Sequence, residues 1–269
     1  MKESPIPETT NPELNLVPAP TGPLRLLACN DPGPVTKLSL VLPTFNEARN
    51  IESMIVAVSE ILERSGIPYE LIVVDDNSPD GTWRLAVALC ASLPRLRVIR
   101  RTHERGLATA VIRGWQASCG DVLGVIDADL QHPPDVIPSL WDRMEAGTDL
   151  AVASRRVPGG GVSDWSWRRR FISRTAELIG LVILPEVITR LSDPMSGYLL
   201  VRRDTLTGVT LKPRGYKILI EILGRGRITK ISEVAYVFRE RADNESKLTW
   251  RTYREYLLHL GILRFRGLS

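Results

Sequence analysis

At 269 residues, with 43% hydrophobic and 25% charged side chains, the chain is long enough to bury one large core without covalent staples. Its three cysteines, Cys29, Cys90 and Cys119, lie far apart and form no CxxC pair, which argues against a disulfide framework or a structural zinc site and for a reducing compartment. The net charge of +4 is modest but uneven: arginines crowd 155–174 and 251–266, and such local density points to anionic partners.

Residues 1–36 carry repeated prolines and turn formers with little periodicity and read as a mostly disordered extension, dispensable for folding. From Lys37, short β-prone runs (Leu38–Leu42, Glu70–Val74, Leu96–Arg100, Val122–Ile126, Leu150–Ala153) alternate with amphipathic helical stretches near 47–64, 81–92, 106–118 and 135–146. That alternation predicts βαβ units, hence an α/β fold with a mainly parallel sheet flanked by helices. Beyond Arg155 a Gly-rich stretch, 158–161, leads to a helix near 167–183, a strand near 197–202, a helix near 215–223, a strand near 230–238 and a last helix near 250–264.

In an open α/β sheet, ligands bind outside the carboxyl ends of the strands. Three polar segments fall there: Pro43-Thr44-Phe45-Asn46-Glu47, Asp75-Asp76-Asn77-Ser78-Pro79-Asp80-Gly81-Thr82, and Asp127-Ala128-Asp129-Leu130-Gln131-His132-Pro133-Pro134. Helix capping accounts for Asn46, Glu47 and Asp80. Asp75 and Asp76 have no such structural explanation, and Asp76 suits hydrogen-bond acceptance from a ribose or base edge. Extended geometry puts Asp127 and Asp129 on one side, with Gln131 at the same alternation. Three hard oxygen donors suit Mg²⁺ or Mn²⁺, completed by substrate phosphates and water. His132, followed by two prolines, reads as a turn or packing residue.

These segments, with Arg105-Gly106-Leu107 and Ala153-Ser154-Arg155-Arg156, occur in the order and spacing of a family-2 glycosyltransferase with the Rossmann-like GT-A fold, which the chain resembles over roughly 37–250. The later pieces, Trp165 to Ser173, Asp193-Pro194-Met195-Ser196-Gly197-Tyr198, Gly215-Tyr216-Lys217 and Glu245-Ser246-Lys247-Leu248, resemble the dolichol-phosphate mannose synthases. The resemblance implies transfer of mannose from GDP-mannose to a polyprenyl (dolichyl) phosphate with inversion. It places Pro43, Phe45, Glu47 and Asp76 in the nucleotide pocket, with Phe45 where the family often has tyrosine. It places Asp127, Asp129 and Gln131 at the metal and diphosphate, Arg155, Arg169 and Ser173 at the acceptor phosphate, and Lys217 and Arg241 near the donor diphosphate.

The chemistry agrees with that assignment. A phosphate monoester, with a second pKa of about 6, is largely ionised at neutral pH and needs no general base. It needs cations that hold two anionic groups together, and arginine suits bidentate phosphate contact. Asp129, Arg155, Arg169 and Ser173 are therefore the expected catalytic set. A non-catalytic nucleotide-sugar-binding or scaffold subunit has no reason to keep this set together, whereas a UDP-sugar-dependent relative would share most of it. No base-reading motif accompanies the basic clusters, so nucleic acid is not an expected partner.

No run of about 18 uncharged apolar residues occurs; the nearest, 171–191, is interrupted by Arg174, Glu177, Glu186 and Arg190. The apolar segment 178–184 and the basic, aromatic-bearing 251–269 instead read as amphipathic helices, the second lying in a membrane interface. A peripheral protein on the cytoplasmic face of a membrane is expected. The chain departs from the family in its Pro-rich extension, in Asp243-Asn244 ahead of the Glu-Ser-Lys motif, and in stopping at Ser269 without the transmembrane helices of many microbial members. That last departure implies a membrane-associated form, removed anchoring segments or an anchoring partner.

Overall fold

Near-continuous apolar strands such as Leu38–Leu42 and Leu71–Val74 belong where both faces of a sheet are covered. The computed structural model, which describes residues 16–26, 37–163, 183–213, 217–239, 258 and 260–264, shows that arrangement. In chain order the elements are β1 (Leu16–Val17), β2 (Leu38–Thr44), α1 (Ile51–Arg64), β3 (Tyr69–Asp75), α2 (Thr82–Leu89), β4 (Leu96–Arg100), α3 (Leu107–Gln116), β5 (Val122–Val125), α4 (Ile137–Glu145), β6 (Leu150–Ser154), β7 (Gly161–Val162), α5 (Pro185–Ile188), β8 (Leu199–Arg202), α6 (Ile218–Arg225), β9 (Ile231–Ala235) and β10 (Val237–Phe238). The main sheet has the order β1-β4-β3-β2-β5-β8-β6-β9, and β7 pairs separately with β10.

Side-chain alternation divides the core in two. Val41, Ile72 and Val74 point to the face covered by α3, α5 and α6, while Leu40, Leu42, Leu71 and Val73 point to the face covered by α1, α2 and α4. Gly114 lets α3 lie directly on the first face, since a Cβ there would stand 2.6 Å from Val41 Cγ2.

Every pairing in the main sheet is parallel except those of β8, which runs antiparallel to both β5 and β6. The carboxyl ends of β2, β3, β4, β5, β6 and β9 therefore share one edge. Because β8 is reversed, the segment before it, Asp193–Tyr198, arrives at that same edge.

Three local expectations are corrected. The first helix starts at Ile51 rather than near 47, because the N–H groups of Asn46, Glu47 and Ala48 donate to Ser78 Oγ, Thr82 Oγ1 and Asp80 Oδ2. Asn46 has a left-handed φ of 56° and is no helix cap. Residues 16–26, expected within a disordered extension, are part of the fold: β1 extends the sheet edge against Val98 and Ile99, and Leu26 is fully buried. The Leu24 and Leu26 carbonyls accept from Leu211 and Gly208 N–H, while Arg113 and Gln116 on α3 donate to the carbonyls of Gly22, Pro23 and Arg25. Of the described cysteines, Cys90 is a buried thiol that donates to the Ala86 carbonyl, whereas Cys119 is disulfide-bonded, contrary to the expectation from spacing.

The helix expected near 167–183 lies outside the described residues except at its last position, as does most of that near 250–264. Among the described residues no helix is long and apolar enough to cross a membrane.

Leu26→Ala should cost about 2–5 kcal/mol, the usual penalty for emptying a buried leucine site. Equilibrium denaturation checks it, and a loss below about 0.5 kcal/mol would return residues 16–26 to the status of a dispensable tail.

Candidate active site

The first two polar segments form one unit. Besides the three N–H bonds that tie 46–48 to 78–82, Asp76 N–H donates to the Thr44 carbonyl at 3.1 Å. Glu47, nearly buried, accepts from Asn50 Nδ2 at 3.0 Å, and Asp80 Oδ1 receives the N–H of Thr82 at the start of α2. Asp75 is a structural residue after all: fully buried, it accepts from Ser78 N–H at 2.8 Å, Ser78 Oγ at 2.6 Å and Thr44 Oγ1 at 2.9 Å.

Asp76 faces a different set of partners. Arg101 Nε donates to its Oδ1 at 2.7 Å and Nη2 also reaches Oδ1, while Gly106 N–H reaches Oδ2 at 2.8 Å. Burial raises the Asp76 pKa against the pull of Arg101. Glu104 bridges Arg101 to Arg113, which fixes the loop 101–106. That loop sets the Arg105 guanidinium 4.7 Å from the centre of the Phe45 ring, and Pro43 is buried at the end of β2 beside it in sequence. Arg101 and Arg105 were missed by the sequence reading. They follow β4, another parallel strand ending at the same edge, so the strand-end rule also covered them.

The third segment is a turn rather than an extended strand end. Leu130 has a φ of 60°, costly for a residue other than glycine or asparagine, and such strain is typical of functional loops. The turn brings Gln131 N–H to Asp129 Oδ1 at 3.1 Å, and Gln131 is anchored through Nε2 to the Arg239 carbonyl. His132 is packed as expected, its ring 5.2–5.7 Å from those of Tyr198, Tyr236 and Phe238. Its Nδ1 is buried without a hydrogen-bond partner, 3.6 Å from Asp127 Oδ2. Burial, then the charges of Arg155 and Lys217, push its pKa down to about 3, so the imidazole is neutral at physiological pH.

These residues fit a hard divalent cation. Two carboxylates and an anchored amide come from one turn, with an unpartnered imidazole nitrogen facing Asp127. Magnesium is commonly held by one or two carboxylates together with substrate phosphates. Among the described residues no three or more His, Cys, Asp or Glu side chains gather as a cage, so this turn would supply part of a coordination shell.

Arg155 and Lys217 reach the same place from the ends of β6 and α6. Arg155 forms a bidentate pair with Asp193, through Nε at 2.6 Å and Nη2 at 2.7 Å. Burial alone would raise the Asp193 carboxyl, but the hydrogen bonds and charge of Arg155 hold it below the usual range. Lys217 Nζ donates to the Met195 carbonyl at 2.8 Å. Burial and then Arg155 push its pKa down to about 7, with Asp193 and Asp127 opposing. Asp127, Arg155 and Lys217 thus form one electrostatic cluster, which Asp193, unassigned by the sequence reading, completes. Arg169, Ser173 and Arg241 lie outside the described residues.

A mainly parallel α/β sheet that gathers these polar segments and such a cluster at one edge is the architecture of a glycosyltransferase of the GT-A type. The chain belongs to glycosyl transferase family 2, whose model matches residues 39–206. It is 46% identical over 224 residues to a dolichol-phosphate mannosyltransferase of Pyrococcus furiosus, covering 83% of this chain and 62% of the relative, so the chain spans less than two thirds of that protein. It is 34% identical over 243 residues to a polyprenol monophosphomannose synthase of Mycolicibacterium smegmatis, covering 87% and 89% of the two chains. In fold it is similar to glucosyl-3-phosphoglycerate synthase from Mycobacterium tuberculosis, solved with Mn²⁺, uridine diphosphate and glucosyl-3-phosphoglycerate: TM-score 0.65, 24% identity, 89% of this chain and 88% of that one.

The Lys217 pKa sets a pH dependence. The ammonium is charged below about 7 and is lost as pH rises through that value; if Lys217 holds a nucleotide-sugar diphosphate, which does not itself titrate there, affinity should be highest near pH 6 and fall by pH 8. The fall should approach about ten-fold per unit above the pKa if the charge is essential. Calorimetry checks this: Lys217→Arg should flatten the profile, and a flat wild-type profile contradicts it.

Proposed function

We propose that the protein transfers mannose from GDP-mannose to a polyprenyl phosphate such as dolichyl phosphate, with inversion at the anomeric carbon. The observation that carries this reading is the cluster of Arg155, Lys217 and Asp127 around the buried Asp193, beside Asp129 and Gln131. It offers separate cations for two phosphate-bearing substrates at one sheet edge. The names of the Pyrococcus and Mycolicibacterium relatives support the mannosyl and polyprenyl parts.

In this reading Phe45, Glu47, Asp76 and Pro43 line the nucleoside pocket. Lys217, with Arg241, holds the donor diphosphate, and Arg155, with Arg169 and Ser173, holds the acceptor phosphate. Asp127, Asp129 and Gln131 would hold Mg²⁺ or Mn²⁺, which when bound would supply Lewis-acid stabilisation of the departing diphosphate. An ionised phosphate oxygen attacks directly, so no residue need remove a proton. The chain's own contribution is to align two anions that repel each other in water. Of the segment 251–269, Leu260 and Leu263 are fully buried in the core, which corrects their expected place in a membrane interface, so contact with the lipid at the cytoplasmic face falls to the rest of the segment. A separate membrane-anchoring partner is compatible with that placement.

Purified protein given GDP-mannose, UDP-glucose and related donors with one polyprenyl phosphate should make the mannosyl lipid from GDP-mannose. Preference for a uridine donor overturns the choice of donor, and binding without turnover of any donor supports a non-catalytic subunit instead. Asp129→Ala should lower transfer by at least about 100-fold with little change in melting temperature. Chelation should abolish activity and added Mg²⁺ or Mn²⁺ restore it; activity retained in the variant contradicts the assigned role.

A further inference from the structure

Arg155 leaves the end of β6 already committed to a partner. Its Nε and Nη2 donate to the two oxygens of Asp193, and its backbone N–H also reaches Asp193 Oδ2 at 3.1 Å. Asp193 is fully buried, and the guanidinium carbon sits 5.7 Å from the centre of the Phe238 ring. A fork held at two nitrogens has its plane fixed. A free arginine would lose part of its rotamer entropy on each binding event.

Asp193 is itself held. Glu233 on β9 accepts the N–H groups of Ser192 at 2.9 Å and Asp193 at 3.2 Å, which pins the turn to the sheet. The same turn offers the Met195 carbonyl to Lys217 at 2.8 Å. One short turn therefore touches both cations, through a side chain on one side and a carbonyl on the other. Arg155 and Lys217 repel each other, and the Asp193 charge opposes that repulsion, as its effect on Lys217 shows.

We propose that Asp193 is a positioning residue for acceptor binding: it orients Arg155 toward the acceptor phosphate, and the turn carrying it sets the spacing between Arg155 and Lys217. This rests on reading Arg155 as a ligand of the polyprenyl phosphate. A pair that served stability alone would lower the melting temperature and the active fraction but leave the acceptor KM unchanged.

Asp193→Asn keeps the shape and removes the charge. With GDP-mannose and a short-chain polyprenyl phosphate in detergent, it should raise the acceptor KM by about ten-fold or more and change the donor KM by less than about two-fold. Arg155→Lys should raise the acceptor KM as well, and adding Asp193→Asn to it should cost little more, because the two residues act as a unit. Asp193→Glu keeps the charge but displaces it, and should show a smaller rise in the same constant, which provides a test if the asparagine variant does not fold. An acceptor KM within about two-fold of wild type in a folded Asn or Glu variant, or a loss confined to kcat, overturns the proposal. Wild-type protein that transfers mannose to no polyprenyl phosphate overturns instead the reading of Arg155 on which the proposal depends.

Discussion

Parallel pairing of β2 with β3 on one side and β5 on the other is the constraint from which the site follows. It puts the three acidic or polar segments at one edge, and the parallel strands β4, β6 and β9 add Arg101, Arg155 and Tyr236 there. The reversal of β8 contributes what a wholly parallel sheet could not: the start of a strand, and so the Asp193–Tyr198 turn, at the edge where the other strands finish. Helices on both faces bury the sheet, leaving that edge as the place where polar loops converge.

The electrostatics of the edge are arranged in two halves. In the half proposed for the nucleoside, Asp76 and Arg101 form a buried pair, and the loop they brace places Arg105 against Phe45. In the half proposed for the phosphates, Asp193 and Asp127 offset the mutual repulsion of Arg155 and Lys217. Removing one member of a buried pair is far more damaging than its net contribution suggests, since the other charge is left uncompensated. That asymmetry is how a few fixed charges would hold a site proposed for two anionic substrates. His132 is neutral first because burial disfavours its charged form and then because the two cations lie close to it.

Much of this was legible in the sequence. Alternation of β-prone runs with helical stretches marked the fold class, and Asp76, Asp127, Arg155 and Lys217, which the fold gathers at one edge, were singled out by strand-end placement or family likeness. Strand direction is not written in hydrophobic periodicity, so the reversal of β8 was invisible and Asp193 appeared only as part of a motif without a role. Asp75 looked available because its partners, Thr44 and Ser78, become neighbours only once β2 and β3 pair. The prolines before Leu26 masked a packed segment, since its order comes from backbone bonds to α3 and to residues 208–211 rather than from its own propensity. Phe45 was assigned by likeness, and its contact with Arg105 depends on a loop whose path no local pattern dictates.

The central claim is that donor and acceptor phosphates are held side by side at this edge, with the cation site between the β5 turn and the nucleotide. Paramagnetic relaxation tests it most directly: Mn²⁺ and GDP are bound to the protein, and the ³¹P relaxation of a short-chain polyprenyl phosphate is recorded. The account predicts strong enhancement of the acceptor ³¹P relaxation, lost when Arg155 is replaced by Ala. Acceptor phosphate that binds the Mn²⁺ and GDP complex with its relaxation unchanged would contradict it.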